Sequence, residues 1–284
     1  MTTPLCEHQT RHPVPWRFGP WLALVAVALA ALMAGCAQQP VATTAVTTAR
    51  GEPITDSDEP DARRRARIRL ELAASYFEQG QTTVALDEIK RSLAADPTYP
   101  MAYVLRGLVY MRLNESRLAD ESFQRALALN PRDPDALHNY GLFACEQGRY
   151  VQAIEQFDRA LATANYGGQS RSLLAKGVCQ VRAGRLDDAE ASLARSYELD
   201  PGNPITAYNL ASLQFRRGEL VRSQFTIRRV NNSQFANAET LWLGIRVEYR
   251  LGNQAVVQQL ADQLSRRFPD SQEWAAFQRG AFND

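Results

Sequence analysis

The stretch PDALHNYGLFACEQGRYVQAIEQFDRAL, Pro134–Leu161, reads as two short amphipathic helices joined by a turn at Gly148. Leu137, Tyr140, Gly141 and Ala144 return at helical spacing in the first, and Ala153, Phe157 and Ala160 in the second. Gly141 and Ala153 are small enough to let the two helices cross closely, while Tyr150 and Phe157 fill the space beside the crossing.

The same pattern stands upstream. Gly107 to Gly141 is 34 residues (141 − 107), and so is Ala119 to Ala153 (153 − 119). Tyr110, Phe123, Ala126 and Pro131 occupy the corresponding places. A helix–turn–helix period of this length and composition resembles the tetratricopeptide repeat. One such unit cannot bury its apolar face alone, so copies must stack. The expected fold is all-α, a right-handed superhelical solenoid of about six repeats.

A first repeat carries Leu72, Ala73, Tyr76, Gly80, Ala85 and Pro97, and a second opens at Pro100 with Asn114 in place of the turn glycine. Asn tolerates the left-handed conformation such a turn requires. The third lacks a closing proline and ends in Asn165-Tyr166-Gly167-Gly168. Gly177 follows Gly141 by 36 residues (177 − 141), so two residues are inserted there. A fourth repeat holds Gly177, Gly184, Ala189 and Leu193. The fifth opens at Pro204 and has Ser223 at the second-helix crossing, and the sixth, around Trp242 and Gly244, slips by one residue. Trp274 and Phe277 are expected on a short capping helix. Asp96-Pro97, Asn130-Pro131 and Asp200-Pro201 each end a helix, because the residue before proline is biased out of the helical region. Pro100, Pro134 and Pro204 open the next helix, where a missing N–H costs nothing.

Residues 1–35 read as an export signal, with Arg11 and Arg17 before the apolar run Trp21 to Met33. Those 13 residues (33 − 21 + 1) fall short of the roughly 20 that span a bilayer as a helix. The signal ends LMAGC, which resembles a bacterial lipobox and marks Cys36 for lipid attachment. Ala37 after it favours the outer membrane. Residues 36–60, rich in Thr, Ala and Pro, are expected to form a disordered tether, and residues 61–284 the solenoid. The basic run Arg63, Arg64, Arg65, Arg67 and Arg69 reads as a solvated helix face.

A net charge of +1 gives no reason to expect a nucleic-acid partner. Of three histidines, His8 and His12 fall in the signal, leaving His138. No phosphate loop, metal-ligand spacing or nucleophile–base set appears, so no catalytic residue, cofactor, metal or small-molecule substrate is expected. Asp187-Asp188 belongs to a helix surface. Arg67, Leu70 and Ala74 stand where a carboxylate-clamping chaperone adaptor would need Lys and Asn.

Three segments carry a closer resemblance. Asn165-Tyr166-Gly167-Gly168, then Gly177-Val178-Cys179 with Arg182-Ala183-Gly184, and Leu241-Trp242-Leu243-Gly244-Ile245-Arg246 are similar to the PilF/PilW family of type IV pilus lipoproteins. That resemblance implies a non-enzymatic, lipid-anchored protein on the periplasmic face of the outer membrane, placing or assembling the secretin ring. Another periplasmic repeat lipoprotein, assembling β-barrels or adapting peptidoglycan enzymes, would share the fold.

Cys145 and Cys179 lie 34 residues apart (179 − 145) on first helices of adjacent repeats. An oxidising periplasm would permit a disulfide between them; two buried thiols are the other reading. In such arrays the second, fifth, ninth and twelfth places of each first helix face the partner groove. Here these are Met101, Val104, Leu108 and Met111, with Leu70 and Phe77 before them and Leu142 after. Leu174, Val178 and Val181 continue the row. An open apolar stripe of this kind marks a binding surface for the secretin; covered by the superhelix, it would be core.

Overall fold

Six helix pairs follow one another along the chain, each set off by the same local chemistry. The computed structural model describes residues 59–282, within the unit Thr55–Asp284. The signal, Cys36 and nearly all of the tether lie outside these residues. The pairs are α1 (Asp61–Glu78) with α2 (Thr82–Ala95), α3 (Pro100–Arg112) with α4 (Ser116–Leu129), and α5 (Pro134–Glu146) with α6 (Tyr150–Leu161). They continue as α7 (Gln169–Arg182) with α8 (Leu186–Leu199), α9 (Pro204–Arg216) with α10 (Leu220–Asn231), and α11 (Ala238–Arg250) with α12 (Gln254–Arg267). A short α13 (Gln272–Gln278) closes the stack.

Within each pair the turn is a left-handed residue at the end of the first helix. Five are glycines; in the second repeat Asn114 takes the place at φ 58°. After α5, Gly148 N–H donates to the Cys145 carbonyl at 3.1 Å and Arg149 N–H to that of Ala144 at 2.8 Å. Carbonyls that the helix end leaves free are satisfied in this way. Between pairs, Asp133 accepts from the Asp135 and Ala136 amides at 3.0 and 3.1 Å, with Pro134 next to it in the first turn. Asn203 and Pro204 repeat the device ahead of α9.

The core follows one rule. A small residue on each first helix meets a large one 16 positions later (157 − 141) on the second. A Cβ added at Gly141 would stand 2.7 Å from the Phe157 ring, one at Gly107 2.7 Å from Phe123, and one at Gly177 2.6 Å from Leu193. Gly244 faces Leu260 at 3.2 Å, and alanines take the place opposite Ile89 and Ile227, as Ala73 and Ala211. The sequence suggested that Gly141 brings backbones together. The atoms nearest to such a Cβ are those of the Phe157 ring, and at Gly177 a backbone atom, the Ala189 carbonyl, also comes within 3.3 Å.

At the C-terminal end Trp274, Phe277 and Phe282 pack against the Leu241–Ile245–Leu264 cluster, and Phe282 stacks on Tyr249 at 4.3 Å. The expected capping helix is α13. Most of the basic run is used internally: Arg63 pairs with Asp96, Arg64 with Asp61, Arg67 with Glu59 and Glu71, and Arg69 with the buried Glu88. Asp187 and Asp188 pair with Arg217 and Arg185.

Candidate functional site

The first helices lie side by side, α1 against α3, α3 against α5, and α5 against α7, so their exposed edges form one face. Neighbouring first helices also cover part of the expected stripe. Val104 is 4% exposed, in a core with Tyr140 and Phe143 of α5, so it is not an open groove position. Leu108 and Met111 are half-buried against that core. Leu70 and Phe77 are half-buried beside Ala73, Ile89 and Val109. The Arg112 guanidinium lies 4.2 Å from the Phe77 ring and donates to its carbonyl at 2.9 Å. Of these seven, Met101 alone is exposed. The position count gives each side chain's direction but not the bulk of the next helix, and Tyr140 and Phe143 supply that bulk.

Leu142 sits differently. With Leu174, Ala175 and Val178 of α7 and Ile205 of α9 it lines an open cavity of about 340 Å³. The structure therefore opens the groove between the third and fifth repeats, further along than the N-terminal repeats. Its charged margin is Glu146, Arg171 and Arg182. Among the described residues Glu146 and Arg182 make no ion pair, whereas Arg171 pairs with Asp135. Ile205, 61% exposed, holds the second place of its helix in the fifth repeat, as Met101 does in the second.

The bed of this cavity is polar and closed. His138, at its edge, is buried, and its Nδ1 lies 2.8 Å from Ser172 Oγ. Ser172 Oγ in turn lies 3.0 Å from the hydroxyl of Tyr166, itself buried. The two-residue insertion thus folds Tyr166 inward and locks the start of α7 to α5. Burial, assisted by the Arg171 cation, pulls the His138 pKa down to about 4. Cys145 and Cys179 are joined as a disulfide with Cα atoms 5.9 Å apart, and Cys145 lines the cavity. This covalent tie holds α5 and α7, the two helices that supply most of the groove, at a fixed spacing. Among the described residues no group of three or more His, Cys, Asp or Glu is placed to hold a metal ion.

Family models of the tetratricopeptide repeat match residues 102–133 and 133–202. The chain folds as a solenoid of tetratricopeptide repeats. Its solenoid is similar to the crystal structure of PilW, described as a widely conserved type IV pilus biogenesis factor, at 29% identity and a TM-score of 0.68. That match covers 75% of this chain and 97% of PilW. PilF of Pseudomonas aeruginosa matches at 26% identity and a TM-score of 0.70, over 78% of this chain and 100% of PilF. The resemblance to the PilF/PilW family seen in the residues is therefore present in the tetratricopeptide structure as well. YrrB, a repeat protein with an unusual peptide-binding site, shares the fold at 16% identity and a TM-score of 0.54, over 67% of this chain and 97% of YrrB. No curated protein matches the chain by sequence.

Proposed function

We propose that this repeat protein is a lipid-anchored scaffold of type IV pilus biogenesis, held at the periplasmic face of the outer membrane by lipid on Cys36. Its partner in this reading is the secretin, whose localisation or assembly it supports. The reading rests on a match to PilW and PilF that runs over 97% and 100% of those chains. The groove between α5, α7 and α9 supplies a place for the partner. Its walls are apolar, its spacing is fixed by a disulfide, and its margin carries charges of both signs without internal partners. An amphipathic or extended segment of the secretin fits that description.

Val178 is half-buried on the groove wall, so Val178→Glu should leave helix content and melting temperature nearly unchanged while abolishing co-purification of the secretin and surface piliation. Piliation that survives deletion of the whole gene would refute the pilus reading. Loss of piliation on deletion, with Val178→Glu fully active, would keep the pilus role and move the binding surface elsewhere.

A further inference from the structure

The row of places that lines the groove runs on into the last two repeats, and its chemistry changes there. In α9 the fifth, ninth and twelfth places hold Tyr208, Ser212 and Phe215; in α11 the second, fifth and ninth hold Glu239, Trp242 and Arg246. All six line a second open cavity, also of about 340 Å³, together with Glu273 of α13 and Arg216. It adjoins the groove across α9, for Ile205 lines the groove and Tyr208, one turn on, lines this cavity. Tyr208 and Trp242 are half-buried, and Phe215 is 8% exposed. Aromatic side chains held in this way are the usual anchors of a protein interface.

Charge is separated along these walls. At one end stand Glu239, in the first turn of α11, and Glu273, in the first turn of α13. Burial, and after it these two carboxylates, push the Tyr208 phenol pKa up, which sets both near its hydroxyl. At the other end stand Arg216 and Arg246. The Arg246 guanidinium lies 4.9 Å from the Phe215 ring and its Nε donates to the Phe282 carbonyl at 3.2 Å, so it is held away from the acidic end. From Glu239 to Arg246 is about 10 Å along the axis of α11, and from Tyr208 to Arg216 about 12 Å along that of α9. Among the described residues Glu239, Glu273 and Arg216 make no ion pair, so each keeps its charge for a partner.

An extended chain presents the same face at every second residue, so side chains four residues apart stand about 13 Å apart. That step matches the distance between the two ends. We infer that this aromatic trough docks an extended partner segment with a basic residue at Glu239 and Glu273, an acidic one four places away at Arg216, and an apolar residue between them over Trp242. The site rests on the reading of this face as the bed of an extended partner, but not on that partner's being the secretin.

Tryptophan fluorescence of the purified full chain in detergent, with Trp242 in the site, follows the test titration, and no secretin enters it. The probes are acetyl-Arg-Ala-Leu-Ala-Glu-amide, the same five residues in reverse order, and a control with glutamine at both ends. One of the two charged orders should bind at least about tenfold tighter than the control, by a margin that shrinks in high salt. Glu239→Gln combined with Glu273→Gln should cost that peptide about tenfold and leave the control unchanged. Arg216→Glu should weaken the same peptide and bind one with arginine at both ends about tenfold tighter than the parent does, a reversal that loss of folding cannot produce. Control binding as tight as that of both charged peptides, or charged-peptide binding unaltered in these variants, would overturn the proposal.

Discussion

Gly141→Ala tests the rule that builds each repeat. The added Cβ would stand 2.7 Å from the Phe157 ring, and ordinary contact begins near 3.4 Å, so the ring would have to retreat about 0.7 Å (3.4 − 2.7). Phe157 has no room for that. It is fully buried against Ala144, Cys145 and Cys179, and the His138 ring lies 5.8 Å away. Overpacking of this kind costs about 1–3 kcal/mol. For a domain of this size that is roughly 2–10 °C in melting temperature, to be read by differential scanning calorimetry at constant redox state. The first and fifth repeats supply the compensation, since alanine is accommodated where the partner is isoleucine: Ala73 with Ile89, Ala211 with Ile227. Gly141→Ala combined with Phe157→Ile should therefore be less destabilised than the sum of the single variants, by about 1 kcal/mol or more. Strict additivity, or a Gly141→Ala protein as stable as the parent, would refute the seating rule.

Replacing both Cys145 and Cys179 by alanine opens a 34-residue loop, which should lower stability by roughly 3–4 kcal/mol, measured by urea titration against the oxidised parent. Thiol titration of the denatured, unreduced chain should find neither cysteine reactive. His138 is neutral and buried with its pKa lowered from 6.5 to about 4, so between those values the unfolded chain binds a proton that the folded one does not. Its contribution is therefore intact above pH 6.5 and lost as the pH falls toward 4, about 3 kcal/mol in all. His138→Gln should flatten the pH dependence over that window, and an unaltered slope would remove His138 from the account. Mass spectrometry of the mature N-terminus should find Cys36 as the first residue and acylated.

The repeat was legible because its grammar is local. A left-handed turn residue, proline after the second helix and a small residue answered 16 positions later all leave marks in a single sequence. The cysteine pair was legible for a related reason: a separation of 34 residues, where these two repeats are spaced by 36, puts the two on neighbouring first helices, two positions out of step. The open groove was not. Leu108 and Leu142 stand at the same place one period apart (142 − 108 = 34), yet the first packs on the core of Tyr140 and Phe143 and the second lines a cavity with Val178 and Ile205. That difference lies in the size of residues one repeat further on. The link from Tyr166 through Ser172 to His138 was equally hidden, since it joins an insertion to a helix start and to the preceding repeat.

A stack of helix pairs responds to tension as a spring, giving way repeat by repeat from its ends. The bond between Cys145 and Cys179 takes 34 residues out of that spring. Fully drawn out they would add roughly 110–120 Å of chain. Pulled from its termini in oxidising conditions, the molecule should lengthen by that much less than in a reducing buffer. The withheld segment contains the turn at Gly148 and all of α6, so the two helices that carry most of the groove stay within reach of each other while the outer repeats pay out.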